Sequence, residues 1–531
     1  MKSLMKKVFA AAAAIATVFG LAATTVATAN AADNATLTVS TTDTKFAGKT
    51  VNAYKMFSAT VSSDGGAVSY TLTDGWKPFF MSSTLDGLTG VTDANVNDKA
   101  NEYVSKLTGK EKDLSAFAAK ASNWAQTNNI TADATATVSK NAATDGKYTA
   151  TFTNLDYGYY VVAVPGATVA DTNSQYAALV RVHSTSVDAE IKGALPTVDK
   201  KVQVNGTGKD ATDAKIGDTL TFTLTSTIPD MSAYNTYTFN FKDTLSKGLT
   251  FGQVTSVKVE NVTLTENTDY TVTTPTASNN NTLTVAMKDF KTKQQANAGK
   301  KITVTYTATL NENAVVGGAG NVNSAKIQYS NNPSTNGTGE SEPSKVRVFT
   351  YGFTVDKYTG DQYTDAATRL AGAEFTLAHK DGSAISFVQV SAGSATANAV
   401  YRVAKAGETG TTTITTPANG KVVFEGLKNG EYTLTETKAP AGYNKLASAI
   451  GVKVNGQNNG TDTTNATVTI TYNNDNGNDY NQTASNGVIP VQNKSGAILP
   501  GTGGMGTIAF TVIGVLVIAL GVAWTLKRKN A

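Results

Sequence analysis

The 531-residue sequence contains no cysteine and only two histidines. The missing cysteines remove disulfide staples, thiolate nucleophiles and thiolate zinc ligands together. His183 and His379 each stand in a strand-like stretch and read as surface strand residues, not as a base or a ligand. No glycine-rich phosphate loop and no clustered acidic metal motif occurs. An enzyme with turnover is therefore not expected, and neither is a cofactor or a metal.

A basic surface is lacking too, once the chain ends are set aside. Lys2, Lys6 and Lys7 precede an Ala-rich apolar run from Val8 to about Val26, followed by Ala29-Asn30-Ala31. A cationic start, an apolar stretch and a small-x-small exit make a signal peptide, so export and removal of residues 1–31 are expected. At the other end, the hydrophobic run Thr507–Leu526 has the length of a bilayer-crossing helix. Lys527, Arg528 and Lys529 after it would hold the tail on the cytoplasmic side. The whole chain has 45 basic and 41 acidic side chains; residues 1–31 and 503–531 hold three basic residues each and no acid. What remains has 39 against 41, a net charge of −2, so nucleic acid is not an expected partner.

The remaining stretch is long enough for about three domains of ordinary size. It is rich in Thr, Asn, Ser, Gly and Val, with alternating runs such as Thr219-Leu220-Thr221-Phe222-Thr223-Leu224. Period-two alternation marks strands with one buried face, and an all-β fold of tandem immunoglobulin-like sandwich domains in a rod follows. The boundaries fall at 32–192, 193–348 and 349–495, with 496–531 as a terminal segment. The second and third domains open alike, on Pro196-Thr197-Val198-Asp199-Lys200 and Phe353-Thr354-Val355-Asp356-Lys357. The first domain carries one small helical insert: Leu114, Phe117, Ala118, Ala121 and Trp124 share a face at helical spacing, with Asp113 placed to cap its start.

Leu499-Pro500-Gly501-Thr502-Gly503, directly before the hydrophobic run and basic tail, resembles the LPxTG cell-wall sorting signal of Gram-positive bacteria. The resemblance implies cleavage between Thr502 and Gly503 by a sortase, which joins the Thr carbonyl to an amine. Tyr432-Thr433-Leu434-Thr435-Glu436-Thr437-Lys438-Ala439-Pro440-Ala441-Gly442-Tyr443 is similar to the E-box of Gram-positive major pilins and collagen-adhesin B-type domains. Leu370–Leu377 and Val491-Gln492-Asn493 match strands of the same domains. In that family a first-strand Lys and a last-strand Asn join in an intramolecular isopeptide bond, assisted once by a buried acid. Carried over, the third-domain set is Lys357, Asn493 and Glu436. The chemistry suits these types: an apolar core favours the neutral, nucleophilic amine, and a carboxyl there can polarise the Asn carboxamide. In the middle domain the set is Lys200, Asp243 and Asn323. Asp243 stands in Phe241–Leu249, similar to the family's acid-bearing segment, and Asn323 in Asn323–Tyr329, similar to its closing strand. Lys201 would point to the opposite face of the strand.

The resemblance to sortase-assembled backbone pilins also implies an exposed lysine near the first domain boundary that receives Thr502 of the next subunit. Lys192 aligns with it, although the family's Tyr-Pro before that lysine is replaced by Glu190-Ile191; Lys201 is the competing acceptor. The implied partners are a pilin-specific and a housekeeping sortase, identical subunits in a covalent homopolymer, minor pilins and peptidoglycan. The implied location is a pilus (fimbria) anchored to the cell wall and supporting adhesion. A wall-anchored adhesin or minor pilin that grips a host or matrix ligand would share every terminal signal.

Overall fold

A computed structural model of the chain describes residues 34–496, with breaks at 62–67, 83–84, 108–110, 141–146, 168–176, 192–194, 332–335, 362, 364–367, 458–465 and 475–478, together with Ile518 and Trp524. The expected signal peptide, Lys192 and Leu499–Gly503 lie outside the described residues, as does all but two residues of the Thr507–Leu526 run. Among the described residues no helix is long and apolar enough to cross a membrane.

Alternation along the chain becomes strands because β-branched Thr and Val fit a pleated, half-buried surface. In Thr219–Thr227, Phe222, Leu224 and Ser226 point inward while the threonines between them are more exposed. Three β-sandwiches result. In the first, Ala35–Thr41 pairs antiparallel with Tyr148–Leu155 and parallel with Ser186–Glu190, so the domain's first and last strands lie side by side. Opposite it, Thr50–Val61 lies between Val68–Leu72 and Gly158–Ala163.

The helical part of this domain is larger than one insert. Helices span Lys77–Met81, Val96–Leu107 and Glu111–Thr127. Phe117, Ala118 and Ala121 are buried, whereas Asp113 stands inside the first turn and is not the cap. Sequence spacing does not mark Trp76, Phe79 and Phe80 as partners of that helix; Phe79 lies 5.8 Å from Phe117 and Trp76 5.6 Å from Trp124, between ring centroids. These rings build a second hydrophobic cluster beside the main core.

The middle domain packs one sheet containing Asp199–Val204, Thr219–Thr227, Lys301–Leu310 and Leu249–Val259 against a second. The second contains Ser344–Phe349, Asn321–Ser330, Phe239–Leu245 and Thr282–Met287. In the third domain, Tyr351–Tyr358 runs between Lys421–Leu427 and Val488–Gln492, the last pair being parallel. Facing that sheet is another built around Gly430–Lys438, flanked by Glu374–His379 and Ile450–Gln457.

The middle and third domains are joined closely. Thr350 alone separates Ser344–Phe349 from Tyr351–Tyr358, and its hydroxyl donates to Leu427 O at 2.9 Å. Asn429 N donates to Asp213 Oδ2 at 2.8 Å, and Ile216 N donates to Gly426 O at 3.0 Å. Gly426 has φ +82° and a Cβ there would stand 2.6 Å from Ile216 Cδ1, so only glycine allows this approach. Between the first and middle domains, Lys49 Nζ donates to Glu340 O at 2.7 Å.

Candidate functional site

Each of the two later domains buries a lysine, an acid and an asparagine in one place. Lysines are almost never fully buried unless paired, yet Lys200 and Lys357 are both 0 % exposed. The strand pleat explains the selection. Lys200 pairs with Leu224 and faces the core, while Lys201, one residue on, faces out.

In the middle domain the set spans both sheets. Lys200 comes from one, Asp243 and Asn323 from the other. Lys200 Nζ contacts Asp243 Oδ2. It also lies 5.1 Å from the ring centroids of both Phe222 and Tyr306. Burial pushes the Lys200 amine down to about 8, although Asp243 beside it acts in the opposite direction. The strand bearing Asn323 is not the closing strand of the domain, because Thr338–Glu340 and Ser344–Phe349 follow it in the same sheet.

In the third domain Lys357 and Asn493 come from neighbouring parallel strands. Lys357 pairs with Val491; Asn493 lies one residue past the strand's end, its N–H donating to Tyr358 O at 2.9 Å. Glu436 reaches across from the opposing sheet. Its Oε1 is 3.3 Å from Lys357 Nζ, and its Oε2 accepts from Asn493 Nδ2 at 3.0 Å and from Leu446 N at 2.8 Å. Here too burial pushes the lysine amine to about 8, against the pull of Glu436. The carboxamide oxygens of Asn323 and Asn493 are buried without a hydrogen-bond partner.

These amines give a measurable pH dependence wherever no bond has formed. Between about 8 and 10.5 the unfolded chain keeps a proton on Lys357 that the folded chain releases, so folding stability rises with pH across that window. The unlinked variant Asn493→Ala should gain up to about 3 kcal/mol from pH 8 to 10.5 in denaturant titrations. Adding Lys357→Met should flatten that rise.

Lys201 is placed differently. Its Nζ is 2.6 Å from Asp210 Oδ1 and 3.3 Å from Asp199 Oδ1, and the bond to Asp210 holds its amine above the ordinary lysine range. Lys192 is outside the described residues; Ile191 and Leu195, on either side of residues 192–194 in the sequence, are buried.

The family model of the Gram-positive pilin backbone subunit 2, Cna-B-like domain matches residues 216–333. The SpaA prealbumin-like fold domain matches residues 361–469. The first span holds Asp243 and Asn323, the second Glu436; Lys200, Lys357 and Asn493 lie outside them. Two consecutive stretches of the chain thus match a pilin-backbone, Cna-B-like domain and a prealbumin-like fold domain. Among curated proteins it is similar to the trypsin-resistant surface T6 protein of Streptococcus pyogenes serotype M6, at 26 % identity over 278 residues. That match covers 48 % of this chain and 44 % of the relative, less than half the relative's length. Similar solved structures include the T6 backbone pilin of serotype M6 Streptococcus pyogenes, at 18 % identity and TM-score 0.46, covering 88 % of this chain and 99 % of that one. The major pilin SpaA of Corynebacterium diphtheriae is similar at 16 % identity and TM-score 0.46, covering 87 % and 100 %.

Proposed function

We propose that the chain is the structural backbone subunit of a covalently polymerised, sortase-assembled pilus. The observation that carries this reading is the pair of buried Lys–acid–Asn sets, one in each of two tandem pilin-type domains, followed by LPGTG. In each set the neutral lysine amine attacks the asparagine Cγ, the new C–N bond closes, and the amide nitrogen leaves as ammonia. Lys200 joins Asn323 with Asp243 as the assisting acid, and Lys357 joins Asn493 with Glu436. The burial that lowers both amines supports this chemistry, because only the unprotonated amine is a nucleophile. These acids act once on their own chain, so the reaction is self-modification.

Between subunits a pilin sortase would cut after Thr502 and pass its acyl group to Lys192 of the next copy, and a housekeeping sortase would finally attach the polymer to peptidoglycan. Lys192 is favoured over Lys201 because two carboxylates hold the Lys201 amine protonated. An immunoblot of wall extracts tests the reading. A ladder of covalent multimers resistant to boiling in detergent is expected; a single wall-linked monomer would instead indicate an anchored adhesin.

A further inference from the structure

The two buried sets differ in how the acid reaches the amide. In the third domain Glu436 Oε2 accepts directly from Asn493 Nδ2. In the middle domain no hydrogen bond joins Asp243 to Asn323. Register explains the gap: Asp243 lies opposite Ala325, and Asn323 opposite Leu245, so the two are diagonal neighbours on one face. Such positions are about 7–8 Å apart, and the aspartate side chain is one methylene shorter than glutamate. The Tyr306 hydroxyl fills the space. It accepts from Asn323 Nδ2 at 2.6 Å and from Lys200 Nζ at 2.9 Å, and it donates to Asp243 Oδ2 at 2.6 Å.

We propose that Tyr306 is a fourth catalytic residue of the middle-domain crosslink, relaying the proton of Asp243 to the departing nitrogen of Asn323. The inference rests on the isopeptide reading given above. As Lys200 Nζ bonds to Asn323 Cγ, Nδ2 becomes an amine with a free lone pair; the Tyr306 O–H turns from Asp243 Oδ2 to Nδ2, gives up its proton there and takes the Asp243 carboxyl proton in its place. The Cγ–Nδ2 bond then breaks with its electron pair on nitrogen, releasing ammonia. The surplus proton on Nζ passes to Asp243 Oδ2, which Lys200 already touches, and the acid is restored. The phenol gives one proton and takes one, so it never has to ionise. Its own environment agrees: burial holds its O–H well above the ordinary tyrosine range. The ring is fixed by stacking on Phe222, at 5.3 Å between centroids and 17° between planes.

The test follows crosslinking by intact mass as the chain from Ala32, isolated unlinked in denaturant, is refolded. Wild type should lose two ammonias, and Asp243→Asn should lose one; if both retain the middle-domain ammonia, the isopeptide reading fails and not the relay. Tyr306→Phe keeps the ring and should melt like Asp243→Asn, yet form the middle-domain bond about 100-fold more slowly, as expected for a lost general acid. Combining Tyr306→Phe with Asp243→Glu should restore the rate, because the longer acid reaches the carboxamide as Glu436 does. The third-domain bond should be unaffected throughout. Middle-domain crosslinking at an unchanged rate in Tyr306→Phe would overturn the proposal. So would a loss that Asp243→Glu fails to restore, which would leave Tyr306 a packing group only.

Discussion

An intact mass two ammonias below the sequence mass is expected for the chain produced from Ala32 without any sortase. Glu436→Ala should return one of them, leaving Lys357 and Asn493 in separate, unmodified tryptic peptides. The consequence for stability is large. Lys357–Asn493 would close a loop of more than 100 residues, and a crosslink of that length constrains the unfolded chain by about 5 kcal/mol. For a domain of this size that corresponds to a fall of roughly 10–20 °C in melting temperature. Removing Glu436 also leaves Lys357 without its buried counter-charge. Mass is therefore the decisive observable, with melting and trypsin sensitivity in support. A mass equal to the sequence mass would refute the crosslinks outright.

Under tension the two ties would not protect equally. In the third domain the bond would link Tyr351–Tyr358 to the residue just past the last strand, taking nearly the whole domain out of the load path. In the middle domain Ser344–Phe349 lies beyond Asn323 and outside the tie. Its resistance rests on pairing with Asn321–Ser330 and on the close joint at Thr350. Noncovalent stability of a domain is only about 5–15 kcal/mol, and forced unfolding is governed by rate. The proposed crosslinks would thus take the place of the disulfides this chain cannot make.

Lys192→Arg is expected to abolish the multimer ladder while export of the monomer continues. A guanidinium keeps the positive charge but stays protonated at any working pH, so it cannot serve as the amine nucleophile. Lys201→Arg should leave the ladder intact, since Lys201 is occupied by Asp199 and Asp210. The contrast is all-or-none in gel mobility. A ladder that survives Lys192→Arg and disappears in Lys201→Arg would move the acceptor to Lys201 and require the two aspartates to release it.

The sequence determined by itself what depends on local chemistry and period. Alternation in Thr219–Leu224 specified strands, because successive side chains must take opposite faces. The same alternation separated Lys200 from Lys201. The helical face of Phe117, Ala118 and Ala121 was legible from its 3.6-residue spacing, but its start was not; a helix end depends on the turn before it, and Asp113 proved to lie inside. The aromatic cluster around Trp76 and Phe79 was illegible because those residues come from a 3-10 turn, Asp74–Trp76, and the short helix after it, far from Phe117 in sequence.

Tertiary structure alone decided which groups meet. Nothing in the spacing of Asp243, Tyr306 and Asn323 shows that a hydroxyl stands between an acid and an amide, since the three lie on three strands in two sheets. The register Asp243↔Ala325 and Leu245↔Asn323 sets that distance, and register is a property of strand pairing across the whole domain. The order of strands likewise put Ser344–Phe349 after Asn323 and closed the middle domain with a strand that carries no part of its set. The family resemblance names the candidate groups and alternation assigns their faces; only the packing of two sheets places the Tyr306 hydroxyl between Asp243 and Asn323.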